Sequence, residues 1–135
     1  RNNIQSVSTV NVRDNKILQA LEPDTDGILI DAPCSGLGVL KRNPDAKWNI
    51  SPEQLNEILK TQEKILQTYP PLVKKGGKLV YATCSILPEE NKLQVEKFLS
   101  SQLGSKFELE KEHTYFSHLT GFDGFYCARL IKKCE

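Results

Sequence analysis

The sequence predicts an α/β fold in which parallel strands are joined by one long helix and an antiparallel pair of strands closes the chain. Three observations carry this expectation. Ile28-Leu29-Ile30 is a short, continuous apolar run, the pattern of a strand covered on both faces; Asp31 closes it, and Pro33 has no N–H with which to extend a ladder. Lys78-Leu79-Val80-Tyr81-Ala82-Thr83 repeats the design, and each run leads into a cysteine followed by a serine, Cys34-Ser35 and Cys84-Ser85. The residues between the two runs read as a long helix. Strand–helix–strand units of this kind usually join neighbouring parallel strands.

Taken in order, Ile4, Val7, Val10 and Val12 alternate loosely and predict a first strand over Ile4–Val12, with Asp14 just beyond its end. Asp14 suits a turn or a helix cap equally well. Lys16–Leu21 reads as a short helix stopped by Glu22-Pro23-Asp24. Gly27–Asp31 is the next strand. Beyond Cys34, Gly36 and Gly38 permit backbone geometries and close approach that side chains would obstruct. This glycine pair is not a phosphate-binding loop, because the Lys-Ser/Thr ending of that motif is missing. Asn43–Trp48 is a loop carrying the only tryptophan. Packing is the first expectation for Trp48, and a base-stacking surface the second.

Ser51-Pro52-Glu53-Gln54 opens the long helix: Ser51 caps, Pro52 suits the first helical position, and Gln54 reaches back to complete a capping box. Leu55, Ile58, Leu59, Ile65 and Leu66 form its apolar stripe. Gln62 lies within that stripe, which predicts a hydrogen bond at the edge of the sheet. Pro70-Pro71 interrupts the helix, and Gly76-Gly77 ends the segment before the Lys78–Thr83 strand. Pro88 begins a second helix, with Glu89 and Glu90 facing its positive first turn, Val95, Phe98 and Leu99 on its buried face and Gly104 at its end. Phe107–Glu110 and Phe125–Ile131 alternate as antiparallel strands do. The loop between them, Lys111–Gly124, carries His113 and His118.

Composition narrows the function classes. The 135 residues make one domain's worth of chain, and 18 basic against 17 acidic residues leave a net charge of +1. No global basic field exists, so contact with nucleic acid must come from a local patch; Lys41, Arg42 and Lys47 cluster beside the first cysteine motif. The four cysteines sit in an α/β pattern rather than a small secreted scaffold. No signal peptide and no membrane-spanning apolar run are expected, and the cytoplasm is the expected location. The cysteines lack paired C-x-x-C spacing, and a metal site is not expected.

The chemistry rests on the two Cys-Ser pairs. A lone cysteine past a strand end is ordinarily a small buried hydrophobe. Two at the carboxyl ends of neighbouring strands, roughly 4.8 Å apart, face one cleft where open α/β sheets place their chemistry. Asp31-Ala32-Pro33-Cys34-Ser35-Gly36 together with Thr83-Cys84-Ser85 resembles the paired-cysteine signature of RNA (cytosine-5)-methyltransferases. Arg42-Asn43-Pro44-Asp45-Ala46-Lys47-Trp48, Pro88-Glu89-Glu90-Asn91 and Asp123-Gly124-Phe125-Tyr126 extend the resemblance from about Asp14 onward, most closely to the bacterial Sun family acting on 16S ribosomal RNA.

That resemblance implies a class I, Rossmann-like, S-adenosylmethionine-dependent methyltransferase domain. The glycine-rich turn that binds the cofactor in that class is not found here. Residues 1–135 are therefore expected to be the carboxyl-terminal part of a catalytic domain, inactive in isolation. The resemblance assigns Cys84 as the nucleophile that adds to carbon 6 of the cytosine and Cys34 as the residue assisting product release. It assigns Asp31 to the cytosine edge near ring nitrogen 3. It also places Asp14, Asp31 and Pro33 at S-adenosylmethionine, and Lys41, Arg42 and Lys47 at the ribosomal RNA. Without the cofactor half, the Gly27–Asp31 strand lacks a neighbour; the Ile4–Val12 strand or a second copy of the chain can take that place, and self-association is the expectation. Two other readings stay open: a dithiol redox protein cycling Cys34 and Cys84, and a non-catalytic fragment that binds RNA or itself.

Overall fold

The computed structural model describes residues 6–7 and 24–134. Of the expected strand over 4–12 only residues 6 and 7 are included, and Asp14 and the Lys16–Leu21 helix lie outside the described residues. The elements are β1 (Thr25–Asp31), α1 (Pro52–Thr68), β2 (Val73–Thr83), α2 (Lys92–Leu99), β3 (Phe107–Tyr115), a single-turn α3 (Ser117–Thr120) and β4 (Phe125–Lys132). Short 3₁₀ turns occupy Pro44–Trp48, Pro70–Leu72, Pro88–Glu90 and Gly104–Lys106. The sheet runs β1-β2-β4-β3. β1 pairs parallel with β2, from Gly27 opposite Lys78 to Asp31 opposite Ala82, while β4 pairs antiparallel with both β2 and β3. Parallel strands followed by an antiparallel pair is the arrangement expected from the sequence, with β4 inserted between β2 and β3.

The expected capping box starts α1. The Ser51 hydroxyl accepts from the Gln54 N–H at 3.2 Å, and the Gln54 side-chain oxygen accepts from the Ser51 N–H at 2.8 Å. Such a cap is worth about 1 kcal/mol. The period of α1 buries Gln62 and Leu66, and α2 buries Val95 and Phe98. Along the strands, every second side chain turns to these helices: Ile30 from β1, Leu79 and Tyr81 from β2, Tyr126, Ala128 and Leu130 from β4, and Phe107 from β3. Together they form one apolar cluster, in which full burial of a side chain such as Leu66 contributes about 1.5–3 kcal/mol.

Four expectations are corrected. The described residues cover β1 on one face only: Ile30 is buried, but Leu29 is 69% exposed, so an unbroken apolar run does not here mean two covered faces. Gly76-Gly77 lies inside β2 rather than before it. The strand begins at Val73 opposite Thr25, bends at Gly76 with φ of 73°, and resumes in register at Lys78. β3 continues to Tyr115, because β4 offers a ladder as far as Phe125; His113 is thus a strand residue opposite Cys127, and His118 lies in α3. Glu89 and Glu90 do not sit in the first turn of an α-helix. They belong to the 3₁₀ turn before α2, where Glu90 points inward.

Candidate active site

The β1–β2 ladder sets the level at which the two cysteine loops leave the sheet. It closes with the Ala32 N–H donating to the Ala82 carbonyl at 2.9 Å. Pro33 offers no N–H to continue it. Both chains then turn, and Cys34 Sγ and Cys84 Sγ come to lie 3.1 Å apart, each half-buried. Burial pushes the Cys34 thiol up to about 12, and its hydrogen bond with Cys84 adds to the shift. Two thiolates at this separation repel each other, so Cys34 keeps its proton beside Cys84.

Glycines close the loop over the pair. Gly36 adopts φ of 72°, a left-handed turn that glycine takes without steric cost. Gly38 is wedged between two backbones, its N–H donating to the Cys84 carbonyl at 2.9 Å and its carbonyl accepting from the Gly124 N–H at 2.7 Å. The second contact brings the Gly121–Gly124 turn alongside. Arg42 Nε lies 2.7 Å from Asp123 Oδ2, and Lys41 Nζ donates to the Gly121 carbonyl at 3.2 Å.

Beneath the thiols is a buried polar network. Glu90 accepts from the Ser35 N–H at 2.8 Å, the Ser35 hydroxyl at 2.5 Å, Gln62 Nε2 at 3.1 Å and the Ser85 hydroxyl. Gln62 Nε2 also donates to the Pro33 carbonyl at 2.9 Å, which is the sheet-edge contact expected for it. The Thr83 hydroxyl donates to Asn91 Oδ1 at 2.5 Å, and Asn91 Nδ2 donates to the Ser85 carbonyl at 2.9 Å. The Tyr81 hydroxyl donates to the Glu90 carbonyl at 2.8 Å; burial and the Glu90 charge hold this phenol far above its ordinary range.

The expected site residues divide. Cys34 and Cys84 meet, and Pro33 is fixed by its carbonyl. Asp31 ends β1 opposite Ala82, exposed, and its side chain makes no hydrogen bond to another described residue. Asp14 lies outside the described residues. Of the basic trio, Lys41 and Arg42 hold the Gly121–Gly124 turn, while Lys47 lies 4.9 Å over the ring of Trp48. Trp48 itself is 78% exposed, which corrects the packing expectation; Ala46 is the residue that its turn buries. Sequence reasoning missed the inward roles of Glu90 and Asn91. The available signal was the Pro88–Asn91 motif lying close after the second Cys-Ser pair.

A groove of about 300 Å³ runs along the edge of β1, lined by Ile28, Leu29, Ile30, Asp31, Ile65 and Tyr69. An apolar wall closed by one carboxylate fits one side of a site for S-adenosylmethionine, a molecule with a flat base and a cationic, amine-bearing tail. Among the described residues no group of three or more His, Cys, Asp or Glu side chains could hold a metal ion, and no helix is long and apolar enough to cross a membrane.

Comparison with known proteins fits this geometry. Residues 1–131 match the family described as 16S rRNA methyltransferase RsmB/F. Ribosomal RNA small subunit methyltransferase B of Proteus mirabilis is 44% identical over 108 residues, covering 80% of this chain and 25% of that protein. The crystal structure of PH0851 superposes with a TM-score of 0.77 at 32% identity, covering 82% of this chain and 27% of that one. NSun6 from Pyrococcus horikoshii, solved with SFG, gives 0.74 at 26% identity over 90% of this chain and 33% of its own. The fold is therefore that of Rossmann-like methyltransferases of the Sun family. The chain spans about a quarter of the length of the curated relatives it matches.

Proposed function

The chain belongs to the RsmB/F family of 16S rRNA methyltransferases, and we propose on that footing that it carries the thiol half of an active site methylating carbon 5 of a cytosine in ribosomal RNA. The observation that carries the proposal is the 3.1 Å approach of Cys34 and Cys84 at the ends of adjacent parallel strands. Carbon 5 of cytosine is a poor nucleophile. A thiolate adding to carbon 6 pushes the ring electron pair onto carbon 5 and makes it reactive, which divides one hard step into easier ones. The Ile28–Asp31 wall and Pro33 would hold S-adenosylmethionine, which would supply the methyl group. The thiol half works only when joined to the remainder of such a site.

Cys84 is the nucleophile in this reading and Cys34 the release residue. Cys34 holds its proton in the resting pair. Once Cys84 is a thioether bonded to carbon 6 it has no charge to repel that of Cys34 and accepts its hydrogen bond only weakly. Of the three influences that raise the Cys34 thiol, burial is then the one left at full strength. Adduct formation thereby makes Cys34 easier to ionise at the stage when the carbon 5 proton must leave and the Cys84–carbon bond must break. Asp31 takes the cytosine edge near ring nitrogen 3, where charge builds during attack. The base must leave its stack to reach the thiols, and Lys41, Arg42 and Lys47 beside the exposed Trp48 form the surface for the flanking RNA.

The same sulfur separation also suits a dithiol that closes to a disulfide, and one experiment separates the readings. In the intact enzyme, Cys84→Ala abolishes methyl transfer and any protein–RNA adduct, whereas Cys34→Ala lets an adduct accumulate on denaturing gels. An adduct that still forms in Cys84→Ala overturns the assignment.

A further inference from the structure

Each cysteine of the pair is followed by a serine, and the reaction proposed above uses neither. Both serines have the same partner. Glu90 is fully buried, and its Oε2 accepts from the hydroxyls of Ser35 and Ser85, which lie 3.2 Å from each other. Its Oε1 accepts from the Ser35 N–H and from Gln62 of α1. One carboxylate thus ties together the residue after Cys34, the residue after Cys84 and the helix beneath them. No Lys, Arg or His among the described residues bonds to it. A carboxylate taken out of water without a cation is costly unless every lone pair is used, and here four neutral donors use them.

The backbone alone holds the two loops less firmly. The ladder ends at Ala32, Pro33 cannot donate, and the next main-chain bond between the loops is the one from Gly38 to Cys84. Cys34 lies between these two points, and the bonds of Ser35 to Glu90 are what fix that stretch of chain against the Cys84 loop. We propose that Glu90 is a positioning residue: through Ser35 and Ser85 it holds the two thiols side by side. An amide at this position has one acceptor oxygen and two N–H donors, and it cannot take the same four bonds. For its consequence in turnover this inference rests on the methyltransferase reading. For the thiol geometry it does not.

The test therefore reads the thiols first. In the intact protein, wild type, Glu90→Gln, Ser35→Ala and Ser85→Ala are equilibrated in glutathione buffers. Closing the Cys34–Cys84 disulfide releases two electrons and two protons, which reduce one oxidised glutathione to two thiols. Peptide mapping after alkylation gives the disulfide fraction, and hence the effective concentration of one thiol at the other. Glu90→Gln is expected to lower it at least tenfold and each serine variant severalfold, with circular dichroism unchanged. If Glu90→Gln does not fold, the serine variants decide. In the methylation assay the folded variants lose turnover number while KM for RNA stays within about twofold. Folded variants with wild-type thiol equilibria overturn the proposal. A shifted equilibrium in a protein whose wild type transfers no methyl group and whose Cys34→Ala variant accumulates no RNA adduct upholds the clamp and refutes the methyltransferase reading instead.

Discussion

Replacing Gly38 with alanine puts a methyl group into the seam between the two loops. A Cβ there would lie 2.1 Å from the Gly124 carbonyl oxygen, 2.6 Å from that of Cys84 and 2.7 Å from the Gly124 carbonyl carbon. All three are main-chain atoms, and no flexible side chain can yield in their place. The seam must open, and it takes with it the Gly38–Cys84 and Gly124–Gly38 hydrogen bonds. Two backbone bonds at about 0.5–1.5 kcal/mol each, with about 1–3 kcal/mol for overpacking, give a loss of about 2–6 kcal/mol. That is a large share of the 5–15 kcal/mol typical of a folded domain. Gly36→Ala is the internal control. Its Cβ meets only Val39 Cγ2 at 3.9 Å, so the cost is that of a left-handed alanine, about 1–2 kcal/mol. Urea unfolding monitored by circular dichroism measures both, and the midpoint is expected to fall much further for Gly38→Ala. A Gly38→Ala loss below about 1 kcal/mol, or one no larger than that of Gly36→Ala, refutes the close-approach argument.

Four further outcomes are expected. The folded protein holds the Cys34 thiol above its ordinary value near 9, so the stability this group contributes is intact below pH 9 and is lost as pH rises toward 12; urea midpoints should fall across that range more steeply than in Cys34→Ala, and equal slopes would contradict it. Iodoacetamide should leave Cys34 largely unmodified at pH 9 in the wild type, yet label it faster in Cys84→Ala, which lacks the hydrogen bond that holds the proton. Arg42→Ala should cost under about 1 kcal/mol, since its ion pair with Asp123 is exposed, while RNA affinity drops severalfold and the salt dependence flattens by about one phosphate contact; unchanged affinity would remove Arg42 from the RNA surface. Self-association through β1, whose outer edge has no described partner, predicts concentration-dependent sedimentation of the 135-residue chain that Leu29→Lys abolishes.

Much of the site could be read from the chain because its signals are local. An apolar run stopped by Pro33 fixes where Cys34 leaves the sheet, and a second strand-like run leading into Cys84-Ser85 fixes its counterpart. Ser51-Pro52-Glu53-Gln54 contains every partner of its own capping box. The parts not legible depend on distant contacts. Glu90 binds Ser35, 55 positions away, and from the sequence alone two acidic residues after a proline read more simply as helix-dipole partners. The extension of β3 through His113 was hidden because a strand on the outside of a sheet tolerates polar side chains that otherwise resemble a loop. Trp48 departs from expectation for a related reason: hydrophobicity describes what a side chain prefers, and on this short turn it is Ala46 that faces inward while Trp48 stays exposed.

The position of β4 in the middle of the sheet also sets a timetable for synthesis. β1, α1, β2 and α2 are all made before it, and β3 has no neighbour until it arrives. At roughly 5–20 residues per second, the ribosome takes several seconds to pass from the end of β2 to the end of β4. During that interval the inner edge of β2 is an open template, and Leu79 and Tyr81 lack the Tyr126, Ala128 and Leu130 side chains that complete their cover. Until β4 emerges, a nascent chain of this design exposes the kind of strand edge that a holding chaperone covers. A stop codon just ahead of Phe125 would remove β4 and leave β3 with no described strand to pair with.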